Sequence, residues 1–278
     1  MTVLSLPAPA KLNLFLHVRG RRADGYHELQ TLFQLVDLCD RVDLEVTQDG
    51  RITRDPPPSD PLLASLADAQ DLTVRAAQLL QAHSGSALGA RIHVHKRIPA
   101  GGGLGGGSSD AATVLLGLSR LWGLGYTRQD LAALGLALGA DVPVFVLGRS
   151  AWGEGRGEQL TPVALESCWY LILHPQVAVS TAEIFQAPEL TRNSPAITMR
   201  DFLAGESRND CEPVVRGRYR QVAAALDWLA SYAPARLTGT GSCLFAAFGS
   251  EAAARQVAAQ APVEFSVWVA KGLAQSPV

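Results

Sequence analysis

The chain has 278 residues, of which 47% are hydrophobic and 18% are charged, a composition typical of globular proteins with ample material for a core. Its formal net charge of −2 provides no overall basic field for holding nucleic acid. No apolar run reaches the roughly 18 to 20 residues of a membrane span, no signal-peptide pattern opens the chain, and the four cysteines show no paired spacing. We therefore expect a cytoplasmic protein that binds neither nucleic acid nor a membrane.

The first half of the chain is predicted to be rich in strands. Alternation of apolar and polar residues predicts strands at 12–18, 28–36, 41–46 and 90–96. Helical spacing predicts helices at 71–83 and 108–122, and a capping-box spacing of Thr127 and Asp130 starts a third. Prolines in 53–61 predict a surface loop. Segments 139–148 and 150–163 are typical of strand, turn and strand.

The second half has another order of elements. An apolar strand is predicted at 169–175, and Ser180 with Glu183 caps a short helix. Further predicted elements are a long helix at 211–231, a glycine-bearing segment leading into a strand at 237–249, a helix at 251–260 and a strand at 264–272. The pattern predicts an α+β protein of two domains, 1–163 and 164–278.

A glycine-rich segment, "PAGGGLGGGSSDAA", spans residues 99–112 and holds six glycines in seven positions. It lies between a predicted strand and a predicted helix, which disfavours a flexible linker. The first N–H groups of a helix lack partners and carry a partial positive charge, so this arrangement predicts a phosphate site. The loop contains no lysine, which excludes a Walker motif, and a G-x-G-x-x-G match carries little information in so glycine-rich a run.

The same segment resembles the phosphate-binding motif of the GHMP kinase superfamily. Three further segments, 9–34, 138–146 and 236–248, resemble the 4-diphosphocytidyl-2-C-methyl-D-erythritol kinase family within it. The resemblance implies an N-terminal nucleotide-binding domain, a C-terminal ferredoxin-like α/β domain and an active site in the cleft between them. It also implies that ATP phosphorylates the 2-hydroxyl of 4-diphosphocytidyl-2-C-methyl-D-erythritol, a step of the non-mevalonate route to isoprenoid precursors.

The resemblance assigns the chemistry to two residues. Asp141 in "GADVP" is the implied base, although an aspartate before a proline is also common in turns. Lys11 is implied to lie beside it and the acceptor hydroxyl, where an ammonium favours an ionised carboxylate and offsets developing charge. Asn13 shares the strand face of Lys11 and is implied to touch the substrate.

The remaining site residues follow from the same resemblance. Tyr26, His27 and Phe185 are expected around cytosine, with Thr181 as a nearby polar contact. The residues expected on the ATP side are Pro99, Ala100, Gly101, Gly102, Gly103, Leu104, Gly105, Gly106, Gly107, Ser108, Ser109, Asp71, Gly239 and Gly241. ATP is expected as its Mg²⁺ complex with few direct protein ligands, because no carboxylate cluster for a metal is evident, and no prosthetic group is expected.

Two residues depart from the family pattern, and two alternatives stay open. Asp71 and Asp110 stand where relatives commonly have Asn. One alternative is a superfamily kinase acting on mevalonate or homoserine, which would have no use for aromatic residues around a base. The other is a non-catalytic binder, which the presence of both Lys11 and Asp141 disfavours.

Overall fold

The computed structural model describes residues 3–54 and 70–278. Its first half contains strands β1 (Val3–Arg21), β2 (His27–Thr47), β3 (Ile52–Arg54), β4 (Gly89–His95), β5 (Ala151–Gly155) and β6 (Gln159–Pro162), and helices α1 (Leu72–Ser84), α2 (Gly106–Leu121), α3 (Arg128–Gly135) and α4 (Val142–Leu147). Its second half contains strands β7 (Trp169–His174), β8 (Ala235–Leu237), β9 (Leu244–Phe248) and β10 (Ser266–Lys271), and helices α5 (Thr181–Gln186), α6 (Met199–Leu203), α7 (Glu212–Arg218), α8 (Arg220–Ala230) and α9 (Glu251–Ala258). Within residues 3–54 and 70–278, no helix is both long and apolar enough to cross a bilayer.

The strands of the first half form one six-stranded sheet around β2. β1 pairs antiparallel with β2 along most of its length, while β4 pairs with 41–47 and β5 with 29–33 of the same strand. β3 pairs with β4 in parallel, and β6 with β5 antiparallel. The two long strands β1 and β2 are therefore the frame from which the N-terminal side chains of the site project.

The four strands of the second half form an antiparallel sheet in the order β10-β7-β9-β8. Helices lie between β7 and β8 and between β9 and β10, so the chain follows a β-α-β-β-α-β path. This order is that of the ferredoxin-like motif. The predicted division after residue 163 falls between β6 and β7.

Three clusters of buried apolar side chains hold the molecule together. One lies between the six-stranded sheet and α1 to α4, and a second packs the helices of the second half on the smaller sheet. The third joins the two halves and includes Leu12, Phe15 and Leu32 from β1 and β2 with Ile172 and Phe245 from β7 and β9. Full burial of each such side chain stabilises the fold by about 1.5–3 kcal/mol. Because the third cluster draws side chains from both halves, this burial holds the halves together.

Several predicted elements differ from the structure. The strands predicted at 28–36 and 41–46 are one strand, β2, because the intervening "DLCD" contains neither glycine nor proline to end it. The strand predicted at 139–148 is wrong: 142–147 is the helix α4, with a proline in its first turn and Gly148 in the left-handed conformation at its end. Its apolar residues 142–146 are buried, and periodicity alone does not separate a buried strand from a buried helix.

The long helix predicted at 211–231 is wrong in one respect. It is two helices, α7 and α8, which meet at Tyr219 in an extended conformation with φ −120° and ψ 97°. Gly217 lies beside this break, and glycine weakens a helix interior because it loses much conformational entropy on folding. The capping box at Thr127 and Asp130 is confirmed. The surface loop predicted at 53–61 is wrong for residues 53 and 54, which belong to β3 and pair with β4, and residues 55–61 lie outside the described residues.

Candidate functional site

A cavity of about 620 Å³ lies where β1, the glycine-rich loop, the N-terminus of α2 and loops of the second half meet. It brings together most of the residues that the sequence indicates. The predicted residues in its wall are Lys11, Asn13, Pro99, Ala100, Gly101, Gly102, Gly103, Leu104, Gly105, Gly106, Gly107, Ser108, Asp141, Thr181, Phe185 and Gly239. Both halves of the chain therefore contribute to one site.

The glycine-rich loop needs its glycines at two positions above all. Gly105 is the N-cap of α2 in the left-handed conformation, with φ 74° and no side-chain hydrogen bond to the helix. The first N–H groups of α2 consequently carry no side-chain cap, which suits them to an anion. Gly103 has φ 77°, and a Cβ there would lie 2.3 Å from the carbonyl oxygen of Thr238. The loop thus packs directly against the second half.

Lys11 is buried and its ammonium group is surrounded by oxygen atoms. Its Nζ donates to Asn13 Oδ1 at 2.5 Å and to the Gly103 carbonyl at 2.9 Å, and lies 3.5 Å from Asp141 Oδ2. These three acceptors match the three donors of an ammonium group. β1 places Lys11 and Asn13 on one face, and the backbone N–H of Lys11 donates to the Leu104 carbonyl, which fixes the strand to the loop.

Asp141 is the N-cap residue of α4, and its side chain is 35% exposed. It makes no capping hydrogen bond to the helix, so its carboxylate is not committed to a structural role there. The Ser108 hydroxyl lies nearby, against Gly139 of the same turn. A partly exposed carboxylate beside an ammonium group and an uncapped helix N-terminus can accept a proton from a hydroxyl brought into the cavity.

Aromatic side chains gather at one end of the cavity. The rings of His27 and Phe185 stack with their centroids 5.0 Å apart and an interplanar angle of 24°. The guanidinium of Arg156, a wall residue, lies 4.7 Å from the centre of the exposed Tyr26 ring. Burial lowers the pKa of His27, and the charges of Arg192 and Arg21 lower it further. Flat rings around a cleft suit a planar heterocycle.

A buried ion cluster stabilises the start of α2. Lys96 binds both Asp40 and Asp110, and Asp40 also accepts from the backbone N–H of Ile98 at 2.8 Å. Burial opposes the charge on Lys96, yet Asp110 and Asp40 raise its pKa. Burial also raises the pKa of Asp110. The cluster anchors the strand that enters the glycine-rich loop to the helix that leaves it.

Five predicted site residues lie outside the cavity wall. Asp71 caps α1, where its carboxylate accepts from Thr73 and pairs with Arg54 at 2.6 Å. Ser109 is fully buried and its hydroxyl donates to the Pro9 carbonyl at 2.6 Å. The polar side-chain atoms of both residues therefore have partners within the fold. The others are Tyr26, His27 and Gly241.

These last three lie close behind the wall. Tyr26 contacts Arg156 and His27 contacts Phe185, as described above, so both reach the cavity through a wall residue. The N–H of Gly241 donates to the Thr238 carbonyl at 2.9 Å and closes the turn that presses on the glycine-rich loop.

Sequence reasoning missed Arg156, Lys96 and Thr240, which also line the cavity. Thr240 lies beside Thr181, with 2.9 Å between the two hydroxyl oxygens, and its place between two glycines was a usable signal. Arg156 lies in the turn between β5 and β6, where an arginine gives no signal of its own. Lys96 ends a strand, and only the structure shows that it reaches Asp110.

Comparison with known proteins agrees with this geometry. Residues 71–149 match the GHMP kinases N terminal domain and residues 189–266 match the GHMP kinases C terminal domain. The 4-diphosphocytidyl-2-C-methyl-D-erythritol kinase of Halorhodospira halophila is 57% identical, over 98% of this chain and 94% of that relative. The protein of the same name from Thiobacillus denitrificans is 54% identical, over 99% of this chain and 97% of the relative.

A solved structure extends the comparison to the fold. The crystal structure of a 4-(cytidine 5'-diphospho)-2C-methyl-D-erythritol kinase superposes with a TM-score of 0.82 at 34% identity, over 97% of this chain and 100% of that one. The two GHMP domains, the curated relatives and the solved structure agree on one family. The chain belongs to the 4-diphosphocytidyl-2-C-methyl-D-erythritol kinase family, a family of small-molecule kinases within the GHMP kinases.

Proposed function

We propose that the protein transfers the γ-phosphoryl group of ATP to the 2-hydroxyl of 4-diphosphocytidyl-2-C-methyl-D-erythritol, in the non-mevalonate route to isoprenoid precursors. One observation carries the proposal. The Lys11–Asp141 pair, at 3.5 Å, lies in one cavity with an uncapped helix N-terminus and with Phe185 of the aromatic end. A surface suited to phosphate, a proton acceptor and a surface suited to a base are thus adjacent.

Each part of the cavity has a role in the transfer. The N–H groups at the start of α2 hold the phosphates. Asp141 accepts the proton of the 2-hydroxyl, and the oxygen attacks the γ-phosphorus as the bond to the β-phosphate oxygen breaks, which leaves ADP. Lys11 stabilises the charge that spreads over the transferred group, and Asn13 and the Gly103 carbonyl hold its ammonium in place.

The residues present also fit a magnesium ion bound with the nucleotide. No group of three or more His, Cys, Asp or Glu residues that could hold a metal is found within 3–54 and 70–278. The hydroxyl of Ser108 is an oxygen donor of the kind that Mg²⁺ prefers, and the ion needs few protein ligands beside phosphate and water. When bound, it offsets the charge of the phosphates.

The remaining parts of the proposal concern the two halves and the setting. We infer that residues 1–163 bind the nucleotide and that 164–278 complete the acceptor site through Thr181 and Phe185. Tyr26 and His27 complete the base-binding end beside Phe185. We also infer a cytoplasmic location, since all four cysteines are free thiols and disulfides are rare in a reducing compartment. We infer small-molecule partners and neither nucleic acid nor a membrane, since a net charge of −2 provides no basic field for an anionic polymer or surface.

The proposal is tested by measuring ADP release from Mg·ATP with 4-diphosphocytidyl-2-C-methyl-D-erythritol, and with mevalonate and homoserine as competing acceptors. We expect turnover with the cytidyl substrate alone. Asp141→Asn removes the proton acceptor and lowers kcat by about 10²–10⁴. Asp227→Asn, at an exposed aspartate paired with Arg216, is the matched control. Turnover with another acceptor, or an Asp141→Asn variant as fast as the control, would overturn the proposal.

A further inference from the structure

Arg192 is held rigidly behind the base-binding end of the cavity. Its guanidinium donates to three backbone carbonyls in the last turn of α5 and just after it: Phe185 at 2.9 Å, Ala187 at 2.7 Å and Leu190 at 3.1 Å. The Nε–H is the fourth donor in use, and it lies 3.2 Å from Nε2 of His27. The carbonyls fix the plane of the guanidinium, so the direction of this fourth bond is fixed as well.

This contact determines which nitrogen of His27 carries the proton. A guanidinium has donors and no acceptor, so Nε2 of His27 has to accept. In a neutral imidazole the other nitrogen, Nδ1, then bears the hydrogen. Among the described residues, Nδ1 of His27 has no hydrogen-bond partner in the protein. The ring therefore offers one donor, at Nδ1.

The ring is also uncharged at neutral pH. Its pKa lies below the ordinary histidine value, because the ring is partly buried and Arg192 and Arg21 are nearby. Stacking on Phe185, a wall residue, holds the ring at the end of the cavity. Neutral charge, one fixed tautomer and a fixed plane are the conditions under which a histidine distinguishes acceptors from donors on a base edge.

We propose that Arg192 is a positioning residue that holds His27 in its Nδ1–H tautomer and thereby makes the site select cytosine over uracil. This rests on the proposed function. Ring nitrogen N3 of cytosine is an acceptor and complements an Nδ1–H donor. The N3–H of uracil is itself a donor, so it cannot form a hydrogen bond with that group. Without Arg192 the ring is free to adopt the Nε2–H tautomer, in which Nδ1 accepts and suits uracil.

The tautomer itself is measured on the free enzyme by ¹H–¹⁵N spectroscopy of labelled histidine, at a pH about one unit above the ordinary histidine pKa of about 6.5. The wild type is expected to show His27 protonated at Nδ1, and Arg192→Met to shift it towards Nε2–H. A wild-type ring protonated at Nε2 overturns the proposal. This measurement uses neither substrate, so it stands apart from the reaction.

Kinetics test the consequence for specificity. The ratio of kcat/KM for the cytidyl substrate to that for its uridyl analogue is expected to fall at least about tenfold in Arg192→Met, mainly through KM. Loosening of the segment after α5 affects both substrates alike and leaves this ratio unchanged. Arg218→Met, which removes an exposed arginine bound to Glu189, is the matched control and keeps the wild-type ratio.

A double-mutant cycle shows whether Arg192 acts through His27. The amide of His27→Asn rotates freely between donor and acceptor, so in this background Arg192→Met is expected to leave the ratio unchanged. A fall of equal size in both backgrounds, or an unchanged ratio in the single variant, overturns the proposal. Wild-type enzyme that turns over neither pyrimidine substrate contradicts the proposed function instead, which the tautomer measurement distinguishes.

Discussion

Lys11 is a buried cation whose surroundings favour its charge. A lone ammonium in the interior is costly, and proteins offset that cost with paired charges and hydrogen bonds. Asn13, the Gly103 carbonyl and Asp141 serve this purpose, and the ring of Phe33 lies 5.8 Å from Nζ. The same contacts hold the ammonium group in the wall of the cavity, where the proposed role of Lys11 is to stabilise the charge that develops on the transferred phosphoryl group.

Replacement of Lys11 by methionine keeps its length and removes the charge. Because the lost interaction strengthens as charge develops in the transition state, kcat is expected to fall by about 10²–10³, with a smaller change in KM. Steady-state kinetics with both substrates provide the measurement. Lys271→Met, at an exposed lysine over the Trp169 ring, is the control, and a Lys11→Met variant within threefold of it would contradict the role.

The glycine-rich loop and α2 form the element that we propose binds phosphate, and the conformation of its backbone depends on glycine. Ala at position 103 would have to adopt φ 77°, and its Cβ would lie 2.3 Å from the Thr238 carbonyl. Left-handed backbone costs about 1–2 kcal/mol for a residue with a Cβ, and the clash displaces the loop. Gly103→Ala is therefore expected to lower the free energy of unfolding and to raise KM for ATP.

Denaturant unfolding and the KM for ATP check this prediction together. Gly123→Ala is a matched control, since Gly123 has φ 66° and no atom within 4 Å of an added Cβ. Gly123→Ala therefore loses only the free energy of the left-handed backbone conformation and introduces no clash. Equal unfolding free energies for the two variants, with an unchanged KM for ATP in Gly103→Ala, would show that contact with Thr238 has no influence on the loop.

Sequence reasoning found those elements whose signals are local. Alternation, helix caps and the glycine run lie within a few residues of one another, and they located β4, α2 and the phosphate loop. The helix α4 was missed because "VPVFV" is buried on every side and has no polar face to reveal its period. Asp71 and Ser109 were expected at the nucleotide, but their distant partners, Arg54 and Pro9, are visible only in the fold.

In the whole molecule, the two halves meet along β1. The N–H and C=O of Leu16 bond to the backbone of Arg208 and Asp210, and the N–H of Val18 donates to the Asp210 carboxylate at 2.7 Å. His17 lies between them and is only 2% exposed. A titratable ring is thus enclosed where the halves join.

This ring makes the stability of the junction depend on pH. Burial lowers the pKa of His17, the charge of Arg208 lowers it further and Asp210 opposes this. The unfolded chain binds the proton more tightly, so stability is fully present above the unfolded pKa of about 6.5 and is lost as the pH falls below it. The slope from one proton is at most about 1.4 kcal/mol per pH unit.

Denaturant unfolding of wild type and His17→Asn between neutral and mildly acidic pH tests this. The wild type is expected to lose more unfolding free energy than the variant over that range. His83→Asn, at an exposed histidine in the last turn of α1, serves as the control. Parallel pH profiles for wild type and His17→Asn would exclude His17 as the source of the acid sensitivity.

The contact between Gly103 and Thr238 also bears on how such enzymes diversify. The glycine-rich loop also contacts the second half through the N–H of Cys243, which donates to the Gly102 carbonyl at 3.0 Å. A chimera that joins the first half to the second half of a relative with another acceptor must carry a turn that fits this loop. Residues 238–243 and the glycine-rich loop are therefore expected to be exchanged together, and a chimera that separates them is expected to pack this loop poorly.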